Sequence, residues 1–290
     1  MTSLAGKDSN PLRLHPIPNT AVVNAGNTAT LPPQKVSSAA ASSLFDFEEL
    51  EKQVSQQISA IRNLKGQGVI METSEDAKKL IGQAQSSLRK LLSLRYFNGN
   101  VASSNPPIYV EMLLKFPETM PDFADAGAAG RLLIEMGPIE HVPYSVFYFL
   151  EMVANWKNGV FHRNAGHVLQ AQVSLNPAKK DEGGGRGLAW QEYSPNFPHK
   201  RLTLGYAGRP GGPAFYISTL DNVANHGPGS QGSTTEADGC FGRIVEGEDV
   251  VKRMTKQPEK VKPNGFISGV ENYITILSVK VVSGPKTTAA

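Results

Sequence analysis

The chain has a single cysteine, Cys240, in 290 residues. No internal disulfide can form, which fits a reducing compartment such as the cytoplasm or an organelle interior without choosing between them. Charge bias is also missing. The 29 Lys and Arg against 26 Asp and Glu leave a net +3, too little for a nucleic-acid partner to be expected. No apolar run reaches the roughly 18 residues of a membrane span. The first residues lack the apolar core of a secretory signal, and Asp8 with few arginines suits a transit peptide poorly. There is no Asn-x-Ser/Thr sequon, so glycosylation gives no hint of secretion. His162 and His167 are five apart, His199 and His226 lie elsewhere, and no Cys/His/Asp spacing suits zinc. Gly183-Gly184-Gly185 is followed by no Gly-Lys-Ser/Thr, so it reads as a flexible loop rather than a phosphate cradle. Neither a metal nor a cofactor is expected. Cys240 has no base adjacent in sequence and reads as a core residue rather than a nucleophile.

What is present suits a soluble globular protein of one or two domains: 40% hydrophobic and 19% charged residues. Residues 1–43 are rich in Pro, Ala, Ser, Thr and Asn without a period, and read as a disordered or extended tail. Residues 44–99 read as a helical hairpin. Phe47, Leu50, Val54, Ile58, Ile61 and Leu64 recur at threes and fours, and Gly66 and Gly68 supply the stop. Ala77, Leu80, Ile81, Ala84, Leu88, Leu91 and Leu92 share one side of a second helix, which Thr73 or Ser74 can cap and Gly99 ends. A hairpin alone leaves its apolar stripe in water. The stripe must pack on the next domain, on a second copy in a coiled coil, or on another protein. Residues 44–98 are expected to be buried against a partner or a second copy, with residues 1–42 extended along it. Residues 1–98 would then serve a larger complex, and the barrel that follows would stay folded and soluble without them.

Asn105-Pro106-Pro107 marks a boundary. Tyr109 to Lys115 alternates with a period of two, and Arg131 to Met136 is the next strand, after a Pro-Asp-Ala-Gly loop from Met120 to Ala129. Pro143 opens a helix that is apolar nearly all round and therefore buried. Gly247 to Lys256 reads as another helix and Tyr273 to Lys280 as the last strand. Between them come Gly159-Val160-Phe161-His162-Arg163, then Val168-Leu169-Gln170-Ala171-Gln172, then Leu202 to Gly208, Ala214-Phe215-Tyr216-Ile217-Ser218 and Gly239-Cys240-Phe241-Gly242-Arg243. In order and spacing these blocks resemble the cyclophilin-type peptidyl-prolyl isomerases, from Gly130 to Val282. The resemblance implies a mainly β fold: a closed antiparallel cyclophilin-like barrel over 106–283, capped by two helices, preceded by the α-helical hairpin and followed by a disordered tail at 284–290.

The resemblance also implies a site. Arg163 takes the place of the catalytic arginine, and Phe161, Val168, Leu169, Gln170, Gln172, Tyr206, Ala207, Tyr216 and Asp238 take substrate-binding places. Several depart from the family pattern. The phenylalanine five residues after the arginine is Val168 here, and the methionine after it is Leu169. The glutamine falls on Ala171, so that Gln170 or Gln172 could substitute only through a bulge. Tyr206 replaces asparagine, Ala214 a second glutamine, Tyr216 the phenylalanine at the pocket floor and Asp238 a histidine. No tryptophan or comparable aromatic occurs between Asn222 and Asp238 in an unusually polar, glycine-rich loop, which reads as a flexible connection or a recognition loop at the pocket mouth. An Arg163–Asp238 ion pair is expected, and it would occupy the guanidinium in the ground state. Two readings stay open: an isomerase with an altered site and weak activity on proline-containing segments, or a non-catalytic peptide-binding or scaffold subunit.

Overall fold

Eight strands close into an antiparallel barrel. They are β1 (Tyr109–Lys115), β2 (Ala129–Met136), β3 (Trp156–Asn164), β4 (Val168–Leu175), β5 (Thr203–Gly208), β6 (Gly211–Ser218), β7 (Cys240–Glu246) and β8 (Ile274–Val282), joined in the order β1-β2-β7-β5-β6-β4-β3-β8. Closure pairs every strand on both sides, so no edge needs protection. The computed structural model describes residues 38–71, 73–97, 106–176, 187–234, 236–257 and 264–285. Most of the expected N-terminal tail, Gly99, the Gly183–Gly185 loop and residues 286–290 lie outside them.

Alternation along each strand separates core from surface. Phe161, Leu169, Ala171, Leu204, Phe215, Ile217 and Phe241 fill the interior. The helix α4 (Pro143–Ala154) starts at Pro143 as expected and closes one end. It buries every residue from Pro143 to Met152, with Phe149 stacked on Phe241 at 4.4 Å and set edge-on to Phe215 at 5.7 Å. The helix α5 (Glu248–Met254) packs by the β1–β2 turn. There Arg253 lies 3.9 Å over the Phe116 ring and donates to Asp122 at 3.0 Å and to the Gly127 carbonyl at 2.6 Å. The expected loop at Met120 to Ala129 holds one helical turn, α3 (Phe123–Ala126).

Two helices precede the barrel, α1 (Ser38–Gly66) and α2 (Glu75–Phe97). The first begins six residues ahead of the expected start at 44, because Ala39 to Ala41 are strong helix formers. It ends as its glycines dictate. Gly68 adopts φ +81°, its N–H bonds the Lys65 carbonyl and that of Val69 bonds Leu64, closing a Schellman turn. Ser74 caps α2 through the Ala77 N–H at 3.3 Å.

The expectation that the hairpin is buried on a partner is corrected by its packing. Ile58, Ile61, Leu88, Leu91 and Leu92 are fully buried and join the same core cluster as the barrel. The outer side of α4 supplies the cover. Arg95 of α2 donates to Glu151 of α4 at 2.7 Å and to Glu51 of α1 at 3.0 Å, with both acids shielded. Buried Glu192 accepts from Gln85 of α2 at 2.9 Å and from the Ser145 N–H at the start of α4 at 2.6 Å. Each buried leucine contributes up to about 1.5–3 kcal/mol. The hairpin's stripe is thus packed on the barrel's own helix α4 rather than left open for a partner.

Candidate active site

The site lies on the outside of the barrel, and its first half depends on a slip in register. Phe161 pairs with Ala171, and both point inward. Strict alternation would send Arg163 inward too. A bulge between Phe161 and Arg163 instead sets Arg163 opposite Gln170 on the outer face. Gln170, rather than Gln172, is therefore the glutamine beside the arginine. Nη1 of Arg163 donates to Gln170 Oε1 at 2.8 Å, and Nε donates to the Asn264 carbonyl at 2.7 Å. Nη2 donates no hydrogen bond among the described residues. The guanidinium carbon stands 5.3 Å from the centre of the Phe266 ring.

The segment carrying Phe266 is fastened to β3. The Asn164 N–H bonds the Gly265 carbonyl at 2.8 Å, and the Ile267 N–H bonds the His162 carbonyl at 2.9 Å. Gly265 sits at φ +78°, and any Cβ there would collide with the Asn164 carbonyl, so only glycine lets the two backbones approach. His162 faces Phe266 at 5.4 Å between ring centres. Burial, with the Arg163 charge beside it, holds the His162 imidazole below its ordinary value.

The second half is a buried polar cluster. Gln170 pairs across β4–β6 with Tyr216, so Tyr216 continues the outer row away from Arg163. Its hydroxyl donates to Asp238 Oδ2 at 3.0 Å. That oxygen also accepts from His226 Nδ1 at 2.7 Å, and Oδ1 accepts from Arg209 Nε at 2.9 Å. Arg209 donates further to the Ser230 carbonyl at 2.8 Å and hydroxyl at 2.6 Å. The His226 ring lies over Tyr216, with centroids 4.6 Å apart and planes at 28°, and His167 stacks near it at 5.6 Å. His199 Nε2 meets the Asp238 carbonyl at 2.9 Å. Gly205 makes the room: a Cβ there would come within 2.6 Å of both His199 and the Tyr216 hydroxyl.

Burial governs the electrostatics here. Asp238 and Tyr216 are each 2% exposed and His226 7%. Burial pushes the Asp238 carboxyl up, but hydrogen bonds from His226 and Arg209 outweigh it and hold the carboxyl below its ordinary value. Burial pushes the Tyr216 hydroxyl well up, reinforced by Asp238. Burial pulls His199 down to about 4, so it is neutral near pH 7 and its Nε2–H is the donor. Burial pushes the Cys240 thiol up to about 12, which removes it as a nucleophile.

Some residues expected at the site are elsewhere. Phe161, Leu169 and Tyr206 point into the core, where the Tyr206 hydroxyl donates to the Ser145 carbonyl at 2.7 Å and its ring stacks on Phe241. Val168 is buried on the outer face, Gln172 is exposed opposite Val160, and Ala207 is half-buried at the end of β5. The expected Arg163–Asp238 pair does not form. Asp238 takes Arg209 instead, and Arg163 takes Gln170 and Asn264. Arg209, Asn264 and Phe266 carried no site signal in the sequence. His199 did so only as an isolated histidine, and His226 and Ser230 also as members of the polar loop before Asp238. The one clue was the demand of a buried Asp238 for a cation.

A family model described as "Cyclophilin type peptidyl-prolyl cis-trans isomerase/CLD" matches residues 123–281, more than half the chain. Among solved structures, two of a Cryptosporidium parvum cyclophilin type peptidyl-prolyl cis-trans isomerase are similar, each at 18% identity and TM-score 0.40. The first covers 61% of this chain and 99% of its own. The second, in the presence of the dipeptide Ala-Pro, covers 60% and 99%. No curated protein matches the chain.

Proposed function

The chain belongs to the cyclophilin-type peptidyl-prolyl cis-trans isomerases, and on that premise we propose that its barrel engages exposed X-Pro segments with an isomerase activity weakened by an altered pocket. Rotation about the prolyl bond is opposed by amide resonance, about 18–20 kcal/mol in ordinary peptides. Twisting the bond gives the prolyl nitrogen a lone pair. A donor aimed at that nitrogen binds the twisted state selectively, and each ~1.4 kcal/mol of selectivity is tenfold in rate. Arg163 suits the task. Gln170 and Asn264 fix two of its nitrogens and leave Nη2 for substrate, so little ordering is needed on binding. No covalent step and no metal is required.

The observation that carries the weakening is His226 lying over Tyr216 while the Tyr216 hydroxyl is held by Asp238. A prolyl ring seeks an apolar floor. Here the floor is half of a stacked pair, and seating proline on that side means displacing a buried, hydrogen-bonded histidine. A protease-coupled isomerisation assay on a panel of X-Pro peptides tests the reading. The wild type is expected to be active but slow, and Arg163→Ala to be inactive but still folded. Equal activity in the variant removes Arg163 from the mechanism. The same covered floor favours a second reading, peptide binding or assembly without turnover, which binding without isomerisation would support. Assembly through residues 1–98 would have to use faces other than the stripe committed to α4.

A further inference from the structure

We propose that Phe266 selects among prolyl segments, favouring those with an aromatic residue next to the proline. The proposal rests on the reading of Arg163 as the group that meets the prolyl bond. Phe266 is 39% exposed, the one aromatic among the exposed large hydrophobics of the described residues, and its backbone is zipped to β3 on both sides. An exposed ring on a rigid segment loses little entropy when a ligand covers it. It stands directly beside the arginine, 5.3 Å from the guanidinium carbon. Neighbouring Cα atoms are about 3.8 Å apart, so a residue flanking a proline held at Arg163 Nη2 reaches the Phe266 ring.

The chemistry favours a ring over an aliphatic chain. Phe266 already heads an aromatic row, with His162 at 5.4 Å and Tyr273 at 6.4 Å from His162. A ligand ring placed on Phe266 extends that row and approaches the guanidinium as well. Aromatic pairs of this kind add about 0.5–1.5 kcal/mol beyond area burial, roughly twofold to tenfold in affinity. The covered Tyr216 side makes this half of the surface the place where side-chain contacts can be added without displacing His226.

Fluorescence anisotropy of the full chain with labelled peptides that differ only in Ala, Leu or Phe beside the proline reads the preference directly. The wild type is expected to bind the Phe peptide about threefold to tenfold more tightly than the Ala peptide. In Phe266→Ala that ratio should collapse toward one, and Phe266→Tyr should restore it. A purely structural role would weaken all peptides alike and leave the ratio intact, which overturns the proposal, as does a wild-type ratio near one. If the ratio behaves as expected but no peptide isomerises, the proposal stands and the isomerase reading falls. If no peptide binds at all, both fall.

Discussion

The two halves of the outer face are built from the same kinds of residue and behave oppositely. Around Arg163 the polar groups are half-exposed, held by one side-chain amide and one carbonyl, with a donor to spare. Around Asp238 the groups are buried and bonded to one another. One guanidinium, Arg163, is positioned by its neighbours. The other, Arg209, neutralises a carboxylate that could not otherwise stay buried. A half that must act on a substrate keeps unused hydrogen-bonding capacity. A half whose groups are buried and bonded to one another does not. On the proposed function, the first half meets the substrate and the second is the altered part of the pocket.

The same substitution made in each half gives the sharpest contrast. Arg209→Ala leaves Asp238 buried without its cation and is expected to cost about 3–5 kcal/mol of unfolding free energy. Arg163→Ala, at a half-exposed position, is expected to cost no more than about 1 kcal/mol. Urea unfolding of the two variants measures both. Similar losses would erase the distinction between a functional and a structural arginine.

Acid should probe the buried half next. His199 titrates at about 4 when folded against about 6.5 unfolded. As pH falls through that window the unfolded chain takes up a proton that the folded chain refuses. Stability is therefore lost on acidification, by up to about 3 kcal/mol between pH 6.5 and 4. The depressed Asp238 adds its loss only below its ordinary carboxylate value, as it protonates in turn. Unfolding free energy measured against pH in wild type and His199→Gln should show a shallower slope in the variant across this window. Parallel slopes would mean that His199 is not the refused site.

The barrel is largely legible in the sequence through the resemblance of its ordered blocks to the cyclophilins; the period of two and Pro143 by themselves give strands and one buried helix, not the closure. The site is only half legible. Arg163 can be placed by the residues around it, but its partner turns on one bulge, and a register slip exchanges Gln170 for Ala171 without changing composition. The same parity sends Phe161, Leu169 and Tyr206 inward. The partner of Asp238 lies 29 residues upstream and is brought close only by the β5–β6 turn meeting β7. The hairpin's stripe announces that it must be buried, but the cover lies in Glu151, Glu192 and the outer side of α4.

His226 offers the smallest effect and the most direct test of the altered half. Its ring leans on Tyr216, its Nδ1–H meets Asp238, and its buried Nε2 has no hydrogen-bond partner among the described residues. That unmade bond already lowers what the side chain contributes to stability. His226→Ala removes the cover but leaves the Arg209–Asp238 pair and the Tyr216 hydroxyl bond in place. The expected result is a gain: kcat/KM on X-Pro peptides up about threefold to tenfold, roughly 0.7–1.4 kcal/mol of regained transition-state binding. The gain should require Arg163, so the double variant His226→Ala/Arg163→Ala should be no faster than Arg163→Ala alone. An unchanged rate in His226→Ala would show that the Tyr216 side contributes nothing to turnover even when uncovered. The proposed weakness of the site would then lie in the residues exchanged at Val168 and Ala214 rather than in the histidine that covers its floor.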